Sequence, residues 1–240
     1  MSFVKLSRDS VAPGAISPCD GPLERIRSWV LEYLCRPNPQ LGRPGPVCPF
    51  AAPAYQDGTI WVHIAAEHVN SQERALAVMN EALQFFVSMS NNDVVADTNH
   101  AVLVVFPGMD NPNGYAVIDK CQKSLKPRFV EMGLMVGQFY RTCEEPGLRN
   151  PDFQPLKSPI PLLAIRYMVK SDIAFLKKSA EFLAAYNARF VAHTPEAESF
   201  AGANERLVEA AGEMGYRREL LAAIPDGFGR IIFEVYRLAK

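Results

Sequence analysis

Ala101-Val102-Leu103-Val104-Val105-Phe106 is followed directly by Pro107-Gly108. Six apolar residues run without a polar interruption, and three of them are valine. The length and branching of the run favour a strand over a helix, and the lack of alternation means that both of its faces are covered. The Pro-Gly pair ends it. A buried strand of this kind belongs inside a central sheet.

Working outward, the neighbouring segments supply the other elements. Residues 59–64, Thr-Ile-Trp-Val-His-Ile, are β-branched and aromatic and read as a strand. Asn70 or Ser71 caps a helix carrying Leu76, Met79, Leu83, Phe86 and Val87 at helical spacing. Residues 113–132 read as a helix with a break or bend at Pro127. Residues 134–140 and 162–168 read as two further strands. An earlier helix starts at Pro22, a favoured first-turn residue, and runs to about Cys35 with Leu23, Ile26, Trp29 or Val30, and Leu34 on one face. Pro37 and Pro39 stop it. Residues 172–190 form the clearest amphipathic pattern, residues 204–214 a shorter helix, and residues 229–239 fit either strand or helix. Residues 1–21 mix Ser, Pro and Gly and read as a loosely ordered arm. The expectation is one α+β domain over residues 22–240. It has a central, mostly antiparallel sheet of four or more strands packed by helices.

Composition narrows the function classes. The 240 residues are 48% hydrophobic and 21% charged, with a formal net charge of −1. That balance is ordinary for a soluble globular protein, and no basic stripe invites nucleic acid. No apolar run has the length of a membrane span, and the N-terminus lacks a signal-peptide pattern, so a cytoplasmic location is expected. Five cysteines at irregular spacing, with no C-x-x-C pair, fit reduced thiols and argue against a structural zinc site. Phosphate loops, nucleophile elbows and dinucleotide fingerprints do not occur.

Two loops stand out. Leu41-Gly42-Arg43-Pro44-Gly45-Pro46-Val47-Cys48-Pro49-Phe50 holds three prolines, two glycines and one cysteine. Proline and glycine together set an unusual path with little freedom. Such a loop is either a stiff connector, with Cys48 a small apolar residue, or a mount that presents Cys48 as a nucleophile or thiolate. It is expected to be ordered and to pack on the sheet. Residues 141–161 form a long loop with five prolines, expected to be an ordered lid or pocket wall.

Charged and imidazole groups complete the candidates. His63 shares a strand face with Trp61, and His100 precedes the buried run. Either could serve as one axial haem ligand, and either could be an ordinary hydrogen-bonded histidine. His68 and His193 are expected to be exposed, and Glu131 to be partly buried. Arg166 lies in an apolar strand, where a guanidinium must be paired or face a cavity. Its partner is expected to be a structural carboxylate, a haem propionate or a substrate carboxylate.

Residues 42–50, Gly133-Leu134-Met135-Val136-Gly137-Gln138-Phe139, Pro146-Gly147-Leu148-Arg149-Asn150-Pro151-Asp152-Phe153 and residues 158–166 together carry a resemblance. The set resembles a bacterial family described only as a domain of unknown function. That family looks related to haem-dependent N-hydroxylases of natural-product biosynthesis, among them the N-omega-hydroxy-L-arginine synthase of the D-cycloserine pathway. The relation implies haem b and monooxygenase chemistry at a nitrogen of an amino acid or guanidine-type small molecule. His100 and His63 are then the candidate iron ligands, and Arg166 pairs a propionate or substrate carboxylate. By the same resemblance, histidine stands at the positions of Tyr140 and Tyr167 in many members. If either position binds iron, this chain uses tyrosine, with Tyr140 the cofactor-binding candidate, or has lost haem. Cys48 and Arg166 are the catalytic candidates. Two other readings stay open: a non-catalytic small-molecule-binding accessory protein of a biosynthetic cluster, and a thiol enzyme built on Cys48.

Overall fold

The apolar run becomes Ala101–Val105, the middle strand of a five-stranded sheet. The computed structural model describes residues 1–6, 21–89, 99–190, 217–225 and 231–239, the last two segments by backbone alone. The chain divides into two compact units: Met1–Lys126 with Leu134–Tyr167, and Pro127–Gly133 with Met168–Lys240.

The first unit holds β1 (Val4–Leu6), α1 (Pro22–Trp29), α2 (Ala51–Asp57), β2 (Ile60–Ile64), α3 (Gln72–Met89), β3 (Ala101–Val105), most of α4 (Pro112–Glu131), β4 (Leu134–Phe139) and β5 (Leu162–Tyr167). Strand order is β1-β2-β3-β5-β4. β2 and β3 are parallel and joined through α3, whereas β1–β2, β3–β5 and β5–β4 are antiparallel. The fold is α+β: an open, mixed, mostly antiparallel sheet packed by helices, as the sequence led one to expect.

Burial explains the unbroken apolar run. Val102, Val104, Leu163 and Ile165 are fully buried. They share a sheet face with Tyr167, whose ring lies 4.9 Å from Phe86 of α3. Ile60, Val62, Leu103, Val105 and Leu162 alternate to the other face. There they pack with Ile26, Trp29 and Val30 at the end of α1. Both faces are covered, so neither position set is polar.

The second unit holds α5 (Ile173–Leu176), α6 (Ala180–Phe190) and the antiparallel pair β6 (Arg217–Pro225) and β7 (Ile231–Ala239). Asp172 is buried, and its carboxylate accepts the Val169 N–H at 2.8 Å.

Several expectations change. The N-terminal arm begins with a strand: β1 pairs with β2 and buries Leu6. The amphipathic segment 172–190 is two helices, not one. Lys177-Lys178-Ser179 interrupts it, and the Ser179 hydroxyl accepts the Phe182 N–H at 3.3 Å, which starts α6 afresh. α4 runs through Pro127 without a break. Glu131 is exposed rather than partly buried. The undecided residues 231–239 are a strand. The helix expected over residues 204–214, and His193, lie outside the described residues. No described helix is long and apolar enough to cross a membrane.

Candidate functional site

The sheet register sets two ends. At one end, Ile64, Val105, Leu162 and Phe139 stand side by side, where β2, β3 and β4 finish and β5 begins. At the other, Ile60, Ala101, Arg166 and Met135 form the corresponding row. Four residues separate the rows, about 13 Å at ~3.3 Å per residue.

A groove of about 520 Å³ opens at the first end. Trp29 and Tyr33 form one wall and Phe153 supplies a further aromatic group. Arg141, Lys157 and Asp152 supply charge of both signs, and Asn38, Gln40, Gln154 and Ser158 supply uncharged polar groups. Its size is that of ordinary small-molecule sites, about 300–1,000 Å³.

The wall is built by a consequence of proline chemistry. Residues 141–161 contain five prolines, which have no N–H to offer one another's carbonyls. Backbone turns pair part of the loop, Gly147 N–H reaching the Phe153 carbonyl at 2.7 Å, and side chains supply further donors. Tyr33 donates to the Pro155 carbonyl at 3.1 Å, the Trp29 indole to Lys157 at 2.9 Å and Arg25 to Pro159 at 2.8 Å. The Trp29 ring stands edge-on to Phe139, with centroids 5.4 Å apart. Burial pushes the Tyr33 phenol up from its ordinary range, so it remains a donor.

Arg141 is held in place from behind. Its guanidinium donates to Asp110 at 3.2 Å and to the Pro159 carbonyl at 3.1 Å. The other Asp110 oxygen accepts the Tyr115 hydroxyl at 2.6 Å. Tyr115 stacks on Tyr140, with centroids 4.8 Å apart and planes 11° from parallel. The Tyr140 hydroxyl donates to Asp119 at 2.9 Å. Burial, and then this hydrogen bond to Asp119, push the Tyr140 phenol far above its ordinary range. A phenolate ligand needs the opposite shift, and the hydroxyl is directed at Asp119.

The sequence-derived residues are not gathered at the groove. His63 sits mid-strand in β2, buried, with Nδ1 donating to the Ser2 carbonyl at 2.8 Å and its ring 5.4 Å from Phe3. His100 precedes β3 by one residue, about 13 Å along the strands from His63. Arg166 lies in the far row and donates to the Tyr167 carbonyl at 2.9 Å. Tyr140 adjoins the groove through Arg141, but its ring turns away. Cys48 is half-buried, and its N–H bonds the Leu34 carbonyl at 2.9 Å, at the end of the helical segment Val30–Leu34 that follows α1.

The rigid loop is ordered, but its backbone pairs with the segment after α1 rather than with the sheet. Val47 N–H reaches the Arg36 carbonyl at 3.0 Å, and Pro37 bridges Pro46. Gly42 takes φ 67°, and a Cβ there would lie 3.2 Å from Arg149 Cβ, so glycine lets the two loops touch. The long loop does form a wall, supplying Arg141, Asp152, Phe153, Gln154, Lys157 and Ser158. Among the described residues, no group of three or more His, Cys, Asp and Glu is placed to hold a metal ion.

A family model described as Domain of unknown function (DUF6875) matches residues 23–201. The chain belongs to that family. Comparisons with curated proteins and with solved structures return no match. The DUF6875 span contains every residue of the groove, whereas β1 falls outside it.

Proposed function

We propose that this DUF6875 chain binds a small, charged molecule of amino-acid type in the groove between α1 and residues 141–161. The chemistry of the lining carries the reading. Arg141 and Lys157 suit a carboxylate, Asp152 suits an ammonium or guanidinium, and Trp29, Tyr33 and Phe153 offer apolar faces for the rest. Arg141 is braced by Asp110, so the ligand meets a pre-positioned guanidinium and little ordering is required on binding.

Haem-dependent N-oxygenation is the catalytic version of the same reading, and it rests on the family resemblance. Bound haem b would supply oxygen activation, while the protein's residues would orient the substrate and exclude water. The donor set does not favour haem in this groove. Among its described lining groups the one axial-ligand type is the Tyr33 phenol, which is engaged with Pro155 and kept protonated by burial. The chemistry proposed here therefore stops at binding and orientation.

Calorimetric titration with arginine, other amino acids and their decarboxylated amines tests the reading. Binding should need the carboxylate. It should weaken at least tenfold in Lys157→Gln and Arg141→Gln, and stay unchanged in Arg166→Met. Equal affinity in all three variants would place the ligand elsewhere. A Soret shift on haem addition that vanishes in His63→Ala or His100→Ala would instead favour the oxygenase and move its centre away from the groove.

A further inference from the structure

The rigid loop has a second cysteine opposite it. Pro37 bridges Pro46 in antiparallel sense, and Val47 N–H bonds the Arg36 carbonyl, so the next residues inward are Cys35 and Cys48. Cys48 N–H bonds the carbonyl of Leu34, the residue before Cys35, at 2.9 Å. With standard backbone dimensions, the path from one Cα to the other across that bond spans at most about 7 Å, and it is shortened by its bends at nitrogen and oxygen. Disulfides bridge Cα atoms roughly 4.4–6.8 Å apart. Both cysteines are free and half-buried, so both remain reachable by a small oxidant. The thiols also sense each other: burial and then Cys48 push the Cys35 thiol up, while Arg36 pulls it down.

We propose that Cys35 and Cys48 form a reversible disulfide that clasps residues 36–47 to the end of the helical segment Val30–Leu34 that follows α1. The oxidant is a low-molecular-weight disulfide such as oxidised glutathione. One cysteine, as thiolate, attacks a sulfur of that disulfide, forms a mixed disulfide and releases one small thiol. The other cysteine gives up its proton and displaces the second small thiol. The protein loses two protons and two electrons, and the small disulfide is reduced to two thiols. The closed loop carries Asn38 and Gln40 on the groove rim, and the Gln40 carbonyl accepts the Asn150 side chain at 2.8 Å. Closing the clasp therefore fixes one rim. That consequence rests on the binding reading above, whereas the bond itself does not.

Competing thiols are disfavoured. Cys121 and Cys143 are fully buried, and burial pushes the Cys121 thiol up to about 11. Cys19 lies outside the described residues.

The test equilibrates the full chain with oxidised and reduced glutathione in graded ratios, quenches with acid, alkylates free thiols and maps peptides by mass spectrometry. The expected product is a Cys35–Cys48 linked peptide, two hydrogens lighter than the paired thiols. It should grow as the mixture becomes oxidising and disappear on reduction. Proteolysis within residues 36–47 should slow at least severalfold in the oxidised wild type and not in Cys48→Ser. Separate glutathione adducts on Cys35 and Cys48, or a link from either to Cys19, would overturn the proposal. Amino-acid titration of the oxidised and reduced chains is a separate readout. A linked peptide without any amino-acid binding would leave the clasp standing and remove the groove reading.

Discussion

Replacing Trp29 separates the two jobs of its side chain. Trp29 is 8% exposed, stands edge-on to Phe139 at 5.4 Å and donates its indole N–H to the Lys157 carbonyl at 2.9 Å. Trp29→Phe keeps an aromatic ring against Phe139 and deletes the donor. The net value of such a bond is about 0.5–1.5 kcal/mol, and leaving its acceptor dry raises the cost towards ~3 kcal/mol. Lys157 is at an exposed position, so water reaches the freed carbonyl and a cost of about 1–2 kcal/mol is expected. Trp29→Ala also empties the ring's space and should cost about 3–5 kcal/mol. For a chain of this size each kcal/mol moves the melting temperature by about 2–4 °C. The chain has two tryptophans, so Trp61 on β2 remains as a fluorescent reporter of the sheet-bearing unit in both variants. Urea unfolding followed through Trp61 gives the two costs, and limited proteolysis of residues 141–161 gives the local effect. Trp29→Phe should raise cleavage in that loop out of proportion to its small global cost. Wild-type stability in Trp29→Phe, with the whole loss confined to Trp29→Ala, would show that the indole N–H does not staple the loop. Wild-type cleavage in Trp29→Phe would show the same.

Two further outcomes follow from the geometry. Burial and Asp119 raise the Tyr140 phenol above its ordinary value of about 10, so its contribution to stability is complete below pH ~10 and is lost as pH climbs above that. Tyr140→Phe should therefore flatten the fall of stability between pH 10 and pH 11 measured by denaturant titration; an unchanged slope would refute the assignment. Arg166→Met should lower stability by about 1–3 kcal/mol through loss of its charged hydrogen bond to the Tyr167 carbonyl. It should leave amino-acid affinity untouched, and a parallel loss of affinity in calorimetry would return Arg166 to the binding site.

The fold was legible where burial was two-sided or strictly one-sided. β3 announces itself because a strand covered on both faces has no polar position, and α3 because Met79, Leu83 and Phe86 recur at helical spacing on its buried face, although Val87, read onto that face, is exposed and the alanines Ala75 and Ala82 complete it instead. β1 is three residues long with one buried side chain, too little for any period to register. The insertion of β5 between β3 and β4 leaves no mark in any strand's pattern, since periodicity reports faces and not partners. The break before α6 did have a signal: Ser179 follows two lysines and is a good cap, but the apolar spacing on either side masked it.

The site was harder to read for a different reason. Sequence reasoning favoured residues whose chemistry is conspicuous alone: His63, His100, Arg166 and Cys48. The groove is made by residues whose polar ends are conspicuous only in company. Trp29 reads as the apolar face of a helix, and in the fold it is that; its N–H nevertheless also holds the Lys157 carbonyl. The clue was in the long loop. A segment with five prolines has fewer N–H donors than carbonyls, so part of its pairing comes from an adjoining element. The helix ahead of the rigid loop offers Arg25, Trp29 and Tyr33 at helical spacing, and all three reach it. A donor-bearing helix face and a donor-poor loop are complementary demands. Read as a pair, they place the groove wall without any catalytic motif.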